Sequence, residues 1–250
     1  MPSYKTILYQ VDRGVARITL NRPEKRNALN PELISELKDA MASSEQLILL
    51  LGAGADFCSG ADLSGLQGMF EANVFDHMAS ARAMADLFLA MRRHPRPIIA
   101  AVRGRALAGG CGLATAADII LAAESAQFGY PEVNIGFVPA MVMTMLRRSV
   151  PEKRAFELLT SGEVIPAQTA VEIGMINRIF ADETFDIEVE AYASKLAQKS
   201  VSALTLSKRL LYQMDSMSFE AALEAGVEIN AIARMTEDYR RGIERFLKKS

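Results

Sequence analysis

The amino-acid sequence predicts an α/β protein ending in a helical region, on three observations. A short apolar run, a glycine-rich turn and a helical stretch follow one another twice, first from Leu47 and again from Pro97. Past about Asp186 the strand signals stop and amphipathic helical segments take over. Half of the 250 residues are apolar, enough for one substantial core.

Along the chain, Thr6 to Leu20 alternates in side-chain character around Asp12-Arg13-Gly14, the pattern of a hairpin. Asn30-Pro31 supplies an N-cap and a first helical residue, and Leu33, Ile34, Leu37, Ala40 and Met41 recur at helical spacing, so a helix runs to about Ala42. Leu47 to Leu51 is continuously apolar, reads as a strand buried on both faces, and ends in Gly52-Ala53-Gly54. Val74, Met78, Ala81, Met84, Ala85, Phe88 and Leu89 form the core-facing stripe of a longer helix, stopped by His94-Pro95-Arg96-Pro97.

A second buried strand over Pro97 to Val102 leads into a glycine-dense turn, Gly104 to Gly112, then a helical stretch Leu113 to Asp118 and a strand Ile119 to Ala122. Val133 to Met145 is apolar, and Met141, Met143 and Met145 suit either an acyl-binding wall or ordinary core. Gly162 and Gly174 read as helix stops. Val189 to Lys199, Ala203 to Met214 and Phe219 to Leu247 read as helices, so the expected division is a core over 1–190 and a helical subdomain over 191–250.

A formal net charge of −2 and a pI near 5.8 give no general attraction to phosphate backbones or anionic lipid, so neither nucleic acid nor a membrane is expected as a partner. The N-terminal residues lack a signal peptide's apolar core, and no apolar run is long enough to span a bilayer. Cys58 and Cys111 sit in separate Gly/Ala-rich turns, which fits a reducing, cytoplasmic setting. No metal site is expected, since His77 and His94 lie far apart and the cysteines lack ligand spacing. Gly52-Ala53-Gly54 lacks the third glycine of a dinucleotide loop, and the sequence has no Gly-x-Ser-x-Gly elbow.

Chemistry concentrates in two loops, Phe57-Cys58-Ser59-Gly60-Ala61-Asp62-Leu63 and Ala106-Leu107-Ala108-Gly109-Gly110-Cys111-Gly112-Leu113, each following a strand. Small residues let a ligand approach the backbone, and the helix start behind the second loop offers unpaired N–H groups and a positive dipole end. Either loop alone reads equally well as a tight turn. Together with Asn21-Arg22-Pro23-Glu24-Lys25-Arg26-Asn27-Ala28-Leu29-Asn30 and Ala126-Gln127-Phe128-Gly129-Tyr130-Pro131-Glu132, they make the sequence resemble the crotonase (enoyl-CoA hydratase/isomerase) superfamily over nearly its whole length.

That resemblance implies a crotonase-like spiral of ββα turns with a C-terminal helical trimerisation region, assembled as a homotrimer or as a hexamer of two trimers. It implies an acyl-CoA substrate, with coenzyme A as part of that substrate and no separate cofactor. The N–H groups of Ala61 and Gly109 match the family's oxyanion hole, and Glu132 matches an acid/base carboxylate. Between Pro131 and an apolar run, partial desolvation raises such a carboxyl's pKa towards a useful value. Lys25, Arg26 and Ala28 match the coenzyme A segment, and Ser59, Ala61, Asp62, Leu63 and Gly109 border the substrate.

In one place the sequence departs from the pattern: where two-glutamate hydratases carry their second glutamate, this chain has Gly112. A lone Glu132 resembles the arrangement of the family's isomerases more closely. Asp62, or a carboxylate on the Asp76 to Asp86 helix, is the candidate to hold water in its place. A binding-only homologue without catalysis, and another crotonase activity such as thioester hydrolysis, stay open as alternatives.

Overall fold

The structure is a computed structural model and describes residues 4–42, 45–62, 65 and 67–248. Strands β1 (Ile7–Asp12) and β2 (Val15–Leu20) form the expected hairpin. Its turn places Arg13 (φ +48°) and Gly14 (φ +80°) in the left-handed region, the geometry that matches the twist of a two-residue hairpin connection.

From β2 onward the pairing is parallel, through β3 (Leu47–Gly52), β4 (Ile98–Val102), β6 (Ile119–Ala123) and β9 (Arg178–Phe180), in the order β1-β2-β3-β4-β6-β9. Leu47 to Leu50 and all of β4 are buried, as continuous apolar runs covered on both faces must be. A smaller sheet joins β5 (Arg105–Leu107) in parallel to β7 (Gln127–Gly129), which pairs antiparallel with β8 (Val164–Pro166).

Helix α1 (Pro31–Met41) starts where Asn30 accepts a hydrogen bond from the Leu33 N–H at 2.8 Å. Helix α2 (Val74–Arg93) begins with a reciprocal Asn73–Asp76 capping box. Of the stripe expected along α2 only Phe88 is buried, Met84 and Ala85 are half-buried, and Leu89 is exposed. The inward face instead carries Leu87 and Met91 beside Phe88, whereas Val74 and Met78 are 63% and 60% exposed.

Helix α3 (Gly109–Thr115) begins within the glycine turn rather than at Leu113, and stops before Asp118. Helices α4 (Val142–Ser149), α5 (Glu152–Ser161) and α6 (Ala167–Glu172) follow; Gly162 (φ +65°) and Gly174 (φ +80°) take the left-handed conformation that ends a helix. Helix α7 (Phe185–Ala197) buries Phe185, Val189, Ala193 and Ala197 against β2, β3 and β6, so a boundary at 190 falls inside an element of the core.

The helices that leave the sheet are α8 (Val201–Gln213), α9 (Phe219–Arg234) and α10 (Glu237–Leu247). The last two replace the single helix read over Phe219 to Leu247. Thr236 interrupts it by capping α10, accepting from the Tyr239 N–H at 3.3 Å. Among the described residues no helix is long and apolar enough to cross a membrane.

Candidate active site

Both glycine-rich loops emerge at the ends of neighbouring strands and are stitched together by backbone bonds. The Cys58 N–H donates to Arg105 O and the Leu107 N–H to Cys58 O, each at 3.0 Å. On its other side the first loop pairs with Leu29. Leu29 N–H donates to Gly60 O at 2.7 Å, and Asp62 N–H donates to Leu29 O at 2.9 Å. In an extended segment, alternate residues point their amides to opposite sides, so the N–H of Ala61 faces away from Leu29.

That direction is towards α3. A Cβ placed on Gly60 (φ +98°) would lie 2.8 Å from Ala108 Cβ and 3.3 Å from Gly109 N, a gap that no side chain fits. A Cβ on Gly109 would lie 3.9 Å from Ala61 N, and a residue's own nitrogen sits about 2.5 Å from its Cβ, which puts the Ala61 and Gly109 nitrogens no more than about 6 Å apart. Two donors bonded to a single oxygen at the usual 2.9 Å satisfy the same limit of about 6 Å. Ala61 is exposed and Gly109 half-buried, so a ligand atom reaches both.

Gly109 is the first residue of α3, where N–H groups have no partner within the helix. The residue before it, Ala108, has φ +50° and ψ −126°, a conformation that costs a non-glycine residue about 1–3 kcal/mol. The Ala108 N–H donates to Gly129 O at 2.8 Å and ties this strained turn to β7.

Two residues past β7, the 3-10 turn Pro131–Ile135 carries Glu132, only 9% exposed. Among the described residues its Oε2 is buried without a hydrogen-bond partner. Loss of hydration raises the Glu132 pKa above the ordinary carboxylate value, partly offset by a hydrogen bond from its own backbone N–H. Beneath it lies Tyr130, fully buried, with its hydroxyl 3.3 Å from Thr115 Oγ1 on α3. Burial pushes the thiols of Cys58 and Cys111 up to about 12, so neither is a nucleophile at neutral pH.

The other expected positions divide. Lys25 and Arg26 are exposed on the 3-10 turn Pro23–Lys25 and its end, beside buried Ala28. Ser59 N–H donates to Arg26 O at 3.0 Å, so this basic segment borders the first loop directly. Asp62 pairs with Arg22 at 2.8 Å, so one of its carboxylate oxygens anchors this loop. Asp76 serves as the α2 cap, and Asp86 lies roughly 160° around that helix from Phe88. Met141 and Met145 pack against the core. Leu63 falls outside the described residues.

Sequence reasoning missed the supports. Asn27 (φ +56°) is fully buried, donating to Ala53 O at 2.9 Å and Asp56 O at 2.8 Å while accepting from the Arg22 N–H at 2.9 Å. Asp56 in turn takes two bonds from the Arg105 guanidinium at 2.9 Å, and that partner holds its pKa below the usual range. Only asparagine's tolerance of left-handed backbone hinted at the first of these.

The sequence model for enoyl-CoA hydratase/isomerase matches residues 10–250. The chain belongs to the enoyl-CoA hydratase/isomerase family. Within that family, a Thermus thermophilus relative with a provisional enoyl-CoA hydratase name is 37% identical over 97% of this chain and 98% of its own. A crotonyl-CoA hydratase of Syntrophomonas wolfei is 32% identical over 99% of this chain and 96% of its own. The crystal structure of a Mycobacterium smegmatis enoyl-CoA hydratase superimposes with a TM-score of 0.94 at 32% identity, covering 98% of this chain and 97% of the other. This mixed α/β architecture is therefore that of the enoyl-CoA hydratase/isomerase family, which acts on acyl-CoA thioesters.

Proposed function

We propose that the protein is an enoyl-CoA hydratase/isomerase-type enzyme that stabilises the enolate of an acyl-CoA. The Glu132 carboxylate takes a proton from the carbon beside the thioester carbonyl. Charge moves onto the carbonyl oxygen, which accepts from the N–H groups of Ala61 and Gly109. The same glutamic acid then returns the proton two bonds further along, so that the double bond of a 3-enoyl-CoA migrates into conjugation with the thioester. The observation that carries this reading is a buried carboxylate with one oxygen unpartnered among the described residues, near enough to α3 for its charge to act on Cys111, while the first amide of that helix approaches the Ala61 amide.

Coenzyme A enters as part of the substrate. Its phosphates suit the exposed side chains of Lys25 and Arg26, its adenine suits the backbone at Ala28, and Ser59 and Asp62 share the loop that offers Ala61. The names of the hydratase relatives support an enoyl-CoA as the substrate. Free, buried cysteines accord with a cytoplasmic setting. Exposed Leu223, Val227 and Ile232 on α9 accord with a homotrimer, alone or paired as a hexamer.

The test is turnover of 3-enoyl-CoA in deuterated water. The expected result is label exchange at the α-carbon and a shifted double bond, with Glu132→Gln slower by about 10²–10⁴-fold and coenzyme A binding retained. A Glu132→Gln variant of unchanged rate removes Glu132 from its role.

A further inference from the structure

The structure assigns Val142 as the residue that decides the outcome of this proton transfer, by closing the space beside Gly112 to a second carboxylate and its water. The assignment rests on the enolate chemistry proposed above. A Cβ built on Gly112 would meet Val142 Cγ1 at 2.2 Å, Val142 Cβ at 2.9 Å and Phe88 Cζ at 3.3 Å. Val142 is the first residue of α4, and both it and Phe88 are buried. Helices α2, α3 and α4 thus converge where residue 112 has no room for any side chain. A branched β-carbon cannot swing aside as the end of a flexible chain does, so even alanine at 112 requires one helix to move.

The closed space borders the reacting groups. Glu132 lies near enough for its charge to act on the Cys111 thiol, whose residue directly precedes Gly112 in α3. A Cβ on Gly109, one helical turn earlier, would lie 3.9 Å from Ala61 N. Hydration of a 2-enoyl-CoA consumes one water: its oxygen bonds Cβ, one carboxylate takes the water's proton, and another delivers a proton to Cα. With Val142 in place no carboxylate at residue 112 joins Glu132, and the proton that Glu132 removes from Cα returns to Cγ with no water consumed. The missing carboxylate is thus a matter of space as well as of Gly112, because Val142 excludes an acidic side chain at that position.

The experiment compares full-length wild type, Gly112→Glu, Val142→Gly and the pair. Each is assayed for hydration of crotonyl-CoA, for α-proton exchange of a 3-enoyl-CoA in deuterated water, and for thermal stability. Wild type and Val142→Gly are expected to hydrate slowly. Gly112→Glu melts lower and gains nothing, and the pair hydrates roughly tenfold faster or more than either single variant. Three results overturn the assignment: Gly112→Glu alone hydrating as fast as the pair, wild type doing so, or a folded pair that exchanges the α-proton with no gain in hydration. Should the pair not fold, Gly112→Ala decides on stability. Its loss of Tm is expected to shrink on the Val142→Gly background, and strictly additive losses would rule out Val142 as the wall. Failure of wild type to exchange the α-proton counts against the enolate reading itself.

Discussion

Glu132 combines two properties that both disfavour its charged form: burial, and an oxygen without a partner among the described residues. Its folded pKa lies above the unfolded value, so the stabilisation it gives is complete below the unfolded pKa and is lost as pH rises through the folded one. Near neutral pH its ionised form is a cost to folding. Glu132→Gln is therefore expected to raise Tm at about pH 8, by about 2–4 °C for each kcal/mol relieved, with a smaller gain at about pH 4. Thermal melts at both pH values check this, and a lower Tm for the variant at the higher pH contradicts it. For activity, the active carboxylate form is lost as pH falls through the raised pKa, so proton exchange declines on the acid side earlier than an exposed glutamate would make it.

Asp56 carries the opposite sign. Its lowered pKa gives stability that is present above the unfolded value and lost as pH falls through the folded one. Arg105 is 42% exposed, so solvent screening limits Asp56→Ala to a loss of about 1–2 kcal/mol in urea unfolding. Glu132 was legible in the sequence because it sits in a recognisable run between Pro131 and apolar residues. Asp56, Asn27 and Val142 were not. What matters about them is a contact with a residue distant in sequence, and neither spacing nor periodicity encodes that contact.

The strand-loop-helix units place the two donors through the close approach at Gly60. Gly60→Ala is expected to cost about 1–3 kcal/mol in backbone strain at φ +98° and to push the loop off Ala108. Separating the donors should lower turnover by about 10²–10³-fold, as loss of one oxyanion donor does, with coenzyme A binding by calorimetry little changed. A Gly60→Ala enzyme with wild-type turnover would mean the amides need not converge. Strands β3 and β4 were readable to within a residue, since four and five consecutive buried apolar positions leave little ambiguity. Helix α3 was placed too late because glycines at 109, 110 and 112 read as a turn, whereas Gly110 sits against Cys58 and Gly112 against Val142 with no room for a Cβ. The break before α10 was signalled by Thr236-Glu237-Asp238, an N-cap with acidic residues in the first turn, but the continuing apolar stripe masked it.

Across the molecule, the sheet, its covering helices and α7 share one core, while α8 to α10 present apolar residues outward. Leu223→Asp with Val227→Asp on α9 is expected to shift sedimentation towards the monomer without lowering the helical content seen by circular dichroism. Unchanged sedimentation would remove α9 from the proposed contact. The class of fold and its helical end were legible from composition and period, whereas the way α8 to α10 leave the core depends on what they meet, which a single chain's pattern does not state. The central claim is that two amides from separate loops hold one thioester oxygen. A crystal structure with acetoacetyl-CoA, an enolisable thioester, tests it most directly. The thioester oxygen is expected about 2.7–3.1 Å from both Ala61 N and Gly109 N, with the Glu132 carboxylate facing the α-carbon. A thioester oxygen bonded to neither amide, or a Glu132 carboxylate turned away from that carbon, would contradict it.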